Sequence, residues 1–180
     1  MVGIEAVSAA GHGGASLKGL AAASLLDFST VTLTGITLIA AGAGNDTVVG
    51  SAGADGIAAR AGLGLLTGGL GADRFDFNLA SEIRGTTFDQ ILDFTSGSDL
   101  IDLIGVDANR LVAGDQAFSF IGTAAFGHVA GELRLGLVGG QTRLTGDLDG
   151  NGTIDFAVPL AGLAGLAGAP VAVVAGDLLL

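Results

Sequence analysis

The sequence predicts an all-β protein built around a parallel β-roll, a flattened coil of short strands and tight turns. Three observations predict it. Gly supplies 33 of the 180 residues while Pro supplies only 2. That excludes collagen, whose triple helix needs both at a period of three. Hydrophobic residues make up 49% of the chain, which excludes a disordered glycine linker, and Phe is the only aromatic. A core of small aliphatic side chains suits thin stacked layers. Finally, glycine and large apolar residues recur together every nine residues.

Set in rows of nine ending at Asp76, the fourth column reads Gly35, Gly44, Gly53, Gly62, Gly71. The eighth reads Ile39, Val48, Ile57, Leu66, Phe75, and the sixth reads Thr37, Asp46, Asp55, Gly64, Asp73. Row 68–76, GGLGADRFD, fits every fixed position of the nonapeptide G-G-x-G-x-D-x-U-x. Row 41–49 misses only the first glycine and row 50–58 only the second, while row 59–67 keeps one glycine column and the apolar one. The first six residues of a row form a turn, where glycine permits positive φ and close backbone approach. The last three form a strand whose middle side chain points inward.

Two rows make one coil. Rows 41–49 and 59–67 are therefore expected to stack on one edge, and rows 50–58 and 68–76 on the other. Carboxylates and backbone carbonyls of stacked turns form the oxygen cage that calcium prefers. Asp55 and Asp73, with turn glycines Gly53, Gly69 and Gly71, should make the best site. Asp46, with Gly42 and Gly44, faces Gly64 and should make a weaker one. A single Gly-x-Asp is a common turn; three in phase with an apolar column are a repeat.

The charge agrees. Net charge is −11, from fifteen Asp and three Glu. An acidic helix surface would use Glu, the better helix former, whereas Asp favours turns and metal loops. The seven basic residues do not cluster, so the chain lacks the basic face that nucleic acid requires. Without cysteine there is no disulfide or thiol chemistry; bound metal can staple a fold instead.

Beyond the rows, Gly97-Ser98-Asp99-Leu100-Ile101-Asp102 repeats half of a nonapeptide. It reads either as a further ligand, Asp99 with Asp93 or Asp102 nearby, or as a turn between strands. Asp147, Asp149, Asn151 and Asp155 occupy positions one, three, five and nine of an EF-hand-like loop, with Gly152 at six. Position twelve is Val158, so the bidentate ligand is missing. The flanks read as strands, which favours a β-hairpin turn, with a weak calcium site as the lesser reading. Residues 1–29 read as earlier, irregular coils. The uncharged stretch 157–175 is broken by glycines, Pro159 and Pro170 and lies between Asp155 and Asp177. It reads as strands joined by a loop rather than as a membrane span.

These rows resemble the RTX (repeat-in-toxin) family. The segments DQILDFTSGSDLIDL from Asp89, GDQAFSFIG from Gly114, AGELRLG from Ala130 and GDLDGNGTIDFAVPLAG from Gly146 resemble the C-terminal domain of serralysin-type metalloproteases. A similar module follows some alginate epimerases. The resemblance spans roughly residues 30 to 180. It implies a roll over residues 1–76 and a cap of antiparallel strands over 77–180. It also implies Ca2+ binding and export to the extracellular space by a type I (ABC transporter) system reading an uncleaved C-terminal signal. Asp177-Leu178-Leu179-Leu180, an acidic residue before an apolar tail, resembles that signal, or else is a terminal strand.

Catalytic patterns are missing. The protease needs H-E-x-x-H, and His12 and His128 are the only histidines. Gly11-His12-Gly13-Gly14 has no G-x-S-x-G partner and reads as a glycine turn. The expectation is a non-catalytic secretion and folding module, disordered without calcium. The alternative is a calcium-dependent binding module for a polysaccharide, a cell surface or a partner enzyme. Extracellular calcium modules bind at about 10⁻⁴ to 10⁻³ M, so millimolar calcium adds roughly 0.5–1.5 kcal/mol per site.

Overall fold

A computed structural model describes residues 6–78, 89–161 and 173–180. The described residues are almost entirely strand and turn. The first strands among the described residues are short: β1 (Ala6–Ser8), β2 (Ala15–Lys18) and β3 (Leu25–Asp27). They are followed by β4 (Thr32–Thr34), β5 (Ile36–Ala43), β6 (Asp46–Val49), β7 (Gly56–Ala61), β8 (Gly64–Thr67) and β9 (Arg74–Asp76). Then come β10 (Gln90–Ile91), β11 (Leu100–Asp102), β12 (Ser119–Phe120), β13 (Glu132–Val138), β14 (Gln141–Asp147) and β15 (Phe156–Pro159). A 3-10 turn, Ala175–Asp177, leads into β16 (Leu178–Leu179).

Two parallel sheets wind round one core. One has the order β10-β8-β6-β3 and the other β16-β11-β9-β7-β5-β2. Parallel pairs next to each other in a sheet but separated in sequence make a solenoid. The apolar column faces inward. Ile39, Ile57, Phe75 and Ile101 lie in register in one sheet, and Leu26, Val48, Leu66 and Ile91 in the other. Apart from the half-buried Leu26, all of these are at most 1% exposed. Every inward side chain thus packs on the equivalent one a coil away. Rows 41–49 and 59–67 do pair, Asp46 opposite Gly64, and rows 50–58 and 68–76 pair with Ile57 opposite Phe75.

Coil length varies along the roll. Hydrogen-bonded turns are 22 residues apart at the first step, 18 between the nonapeptide rows, then 25 and 26. The first coil carries an extra side, where β1 pairs with β4. Both roll sheets run past Asp76, where the rows of nine stop: β10, β11 and β16 all join them. The tail Leu178–Leu179 is a terminal strand parallel to β11.

The second sheet system has the order β12-β13-β14-β15 and is antiparallel from β13 onward. Gly139 and Gly140 join β13 to β14 with φ of 62° and 79°. Two consecutive positive φ values make the tight turn whose twist matches the strands. Leu133, Leu135, Leu144, Phe156 and Val158 extend the roll's core, with Phe118 edge-on to Phe156 at 5.5 Å. A bridge between Ile91 and Leu160 joins this sheet to the roll.

The flanks of the 147–155 loop are the paired strands β14 and β15, so a β-hairpin is formed there. Residues 162–172 of the uncharged stretch lie outside the described residues. Among the described residues, no helix is long and apolar enough to cross a membrane. His12 lies in an exposed turn, and His128 is exposed with φ of 63°.

Candidate metal centres

Along one edge of the roll, the turns ending at Asp55, Asp73 and Asp99 form a ladder. The Asp55 amide donates to Asp73 Oδ1 at 2.9 Å, and the Asp73 amide to Asp99 Oδ1 at 3.1 Å. Within the turns, Ser51 N–H donates to Asp55 Oδ2 and Thr95 N–H to Asp99 Oδ2. Asp93 accepts from Gly68 N–H and Gly69 N–H, both at 2.8 Å. Asp177 ends this edge, accepting from Gly97 N–H, Ser96 Oγ and Val174 N–H. On the opposite edge, Asp46 accepts from Ser24 N–H and Asp89 from Gly64 N–H. The position across from Gly64 therefore has a carboxylate on its far side, supplied by Asp89.

A short side chain at the turn's end reaches the amide of the preceding coil, which Glu would overshoot. That is the physical reason for Asp at these turn positions. Among the described residues, Asp46, Asp55, Asp73, Asp89, Asp99 and Asp177 are buried, Asp46 and Asp73 to 1% exposure, and Asp93 is half-buried.

Hydrogen bonds satisfy only part of this charge. Oδ2 of Asp46 and Oδ2 of Asp73 are buried with no hydrogen-bond partner. Burial pushes the Asp73 carboxyl up to about 6; the Asp55 amide opposes this, while the Asp99, Asp55 and Asp93 carboxylates add to it. A buried carboxylate with a free oxygen and three anionic neighbours is destabilised unless a cation joins it.

The surroundings fit one. A Cβ on Gly68 would collide with Asp73 Oδ2, and one on Gly50 with the Gly68 carbonyl, standing 2.9 Å from Asp55 Oδ2. The inner side of these turns is thus lined by carboxylate and carbonyl oxygens, the donor set of a hard divalent cation. Gly42, Gly44, Gly69 and Gly71 have φ between 95° and 126°. Gly53 has no positive φ and only Ser51 Oγ, at 3.6 Å, near its Cβ position.

The remaining sequence-predicted residues lie elsewhere. Asp102 sits on β11 with Arg74 Nη1 at 3.4 Å, in an ion-pair row with Asp76 and Arg60. Burial raises the Asp76 carboxyl, the Arg60 and Arg74 charges opposing it. Asp147, Asp149 and Asp155 converge in the hairpin loop with ligand atoms within 4.8 Å of one another. Asn151 accepts from Thr153 N–H at 2.7 Å. Asp89, Asp93 and Asp177 are members of the ladders that the nonapeptide frame does not single out. The signal for Asp89 is the pair Asp89-x-Ile91, which repeats Asp46-x-Val48 and Asp73-x-Phe75 off the nine-residue frame.

Stacked coils with buried aspartates laddered along both edges define a β-roll repeat module. Residues 20–171 match the family model described as Peptidase M10 serralysin C terminal, and the chain belongs to that family. It is also similar to the solution structure of the AlgE6R3 subunit from the Azotobacter vinelandii mannuronan C5-epimerase, with 25% identity and a TM-score of 0.54. That match covers 99% of this chain and 85% of the other. No curated protein matches the chain in sequence.

Proposed function

We propose that the chain is a calcium-folded, non-catalytic module of a protein exported by a type I system. The observation that carries this reading is the free oxygen of buried Asp73, set among Asp55, Asp93 and Asp99. Asp73, through its free Oδ2, would hold calcium on one edge with Asp55 and carbonyls of the 50–55 and 68–73 turns, while Asp99, whose two oxygens accept from Asp73 N–H and Thr95 N–H, would fix the Asp73 turn; Asp46 and Asp89 would hold it on the other. Bound calcium supplies positive charge and fills the coordination that the turn oxygens leave open.

The chain's own residues do the rest. Stacked turns hold like charges together, at a cost that grows as the carboxylates ionise. The glycine-rich turns gain much entropy on opening. At the low calcium of a cell interior these terms favour an open, threadable chain; at millimolar calcium outside, they are offset and the coil closes. Family membership supports the export half of this reading.

The test is a calcium titration followed by far-UV circular dichroism. The strand signal should be absent in excess chelator and complete at millimolar calcium. An identical spectrum in both would overturn the proposal.

A further inference from the structure

The hairpin loop 147–155 carries the spelling of a calcium loop, yet its oxygens are already taken. Asp147 Oδ1 accepts from Asp149 N–H at 3.2 Å and Gly150 N–H at 2.8 Å, and its Oδ2 accepts from Gly152 N–H at 2.7 Å. Asp155 Oδ2 accepts from Leu148 N–H at 2.7 Å, and Asp149 Oδ1 from Asn151 N–H at 3.1 Å. The two remaining carboxylate oxygens face one guanidinium. Arg110 Nη2 donates to Asp149 Oδ2, and Arg110 Nη1 lies 3.4 Å from Asp155 Oδ1. The Arg110 backbone is tied to the same loop, its N–H donating to the Leu148 carbonyl at 3.2 Å.

All six carboxylate oxygens of this loop therefore have a donor or a cation beside them, whereas Asp46 and Asp73 in the roll each keep a buried oxygen with neither. Calcium takes six to eight oxygens and, in such loops, a bidentate carboxylate at position twelve. Position twelve here is Val158, fully buried in β15. Arginine is always protonated and presents a planar fork that matches two carboxylates.

From this contrast the structure assigns Arg110 as the resident counter-ion of the 147–155 loop. The loop is closed by a guanidinium and takes no calcium, and Arg110 is the residue that sets this. Calcium dependence is confined to the roll, and the hairpin loop stays formed at any calcium level that leaves the chain folded.

Calcium stoichiometry, measured by equilibrium dialysis on the full chain, tests the assignment. Asp149→Asn should bind as many ions as the wild type, because the loop contributes none. Arg110→Met should bind one more, because it leaves three clustered carboxylates without their cation. One ion fewer in Asp149→Asn, or an unchanged count in Arg110→Met, would overturn the assignment. The wild-type chain gives a readout that needs no variant to fold. Trace Mn²⁺ should broaden the amide signals of Gly69 and Gly71 and leave those of Gly150 and Gly152 sharp; broadening at Gly152 would also overturn it. A wild type that binds no ion at all would sink the roll reading instead, so the two failures are distinct.

Discussion

At Asp73, burial and neighbouring charge act in the same direction, which makes pH a probe of the turn. The carboxyl is raised from an ordinary 3.8 to about 6 in the folded chain. The folded state thus binds this proton more readily than the unfolded state. Its contribution to stability is complete below about pH 4 and is lost as pH rises through 6. In chelator, folded chain should accumulate, and its Tm should rise, as pH falls from 7.5 to 5. Asp73→Asn should flatten that dependence. With calcium present the sign reverses, because protons compete for the same oxygens below pH 6. The same substitution should raise the calcium midpoint roughly tenfold, equivalent to about 1.4 kcal/mol. Circular dichroism against free calcium at fixed pH checks both. An acid-induced gain that survives in Asp73→Asn would place the titrating group elsewhere.

The strands and turns expose the chain to substitution unevenly. Gly71 has φ of 126°, and a Cβ there would stand 2.6 Å from the Gly53 carbonyl. Gly71→Ala should therefore cost about 1–3 kcal/mol in calcium-saturated unfolding. Gly53→Ala, with no positive φ and no neighbour nearer than 3.6 Å, should stay within about 0.5 kcal/mol. Equal costs at the two positions would contradict the stacking described for these turns. Phe75, at 0% exposure between Ile57 and Ile101, should cost about 3–5 kcal/mol as Phe75→Ala. Both contrasts trace back to columns of the repeat. The inward column Ile39, Val48, Ile57, Leu66, Phe75 was legible because nine-residue spacing and side-chain size coincide. The coils beyond Asp76 were not legible in the same way. Their turns lengthen to 25- and 26-residue steps, so Asp89 and Asp93 fall off the frame although Asp89 keeps the Asp-x-apolar pair. The hairpin at 147–155 was legible from its flanking strands. Its Arg110 partner was not, because it lies 39 residues away and only folding brings it there. Gly53 shows the limit of the glycine column: its fit to the pattern does not carry the backbone demand that Gly71 meets.

For the molecule as a whole, roll and antiparallel sheet share one apolar core from Ile39 to Leu178. Loss of calcium should therefore not leave a folded cap beside a melted roll; the unfolding transitions followed by circular dichroism and by Phe fluorescence should coincide. Asp177 closes the structure at the far end, buried to 2% exposure and accepting from Val174, Ser96 and Gly97. Asp177→Ala leaves those donors without their acceptor and should cost about 1–3 kcal/mol. A wild-type denaturation midpoint for this variant in calcium would show that the terminal turn adds nothing to the roll.

The pairing of β16 with β11 also fixes an order of assembly. Ile101 lies opposite Leu178, a loop about four times as long as the 18-residue step between nonapeptide rows. Closing a loop that much longer costs about 1 kcal/mol more in chain entropy. Neighbouring coils can zip first from local contacts, while the last strand waits for its template, β11, to be in place. Hydrogen-exchange pulse labelling during refolding should find the amides of Val48 and Leu66 protected before that of Leu103, which donates to Leu179. Late protection of Leu103 would mark the arrival of this final rung as the slowest step in making the coil.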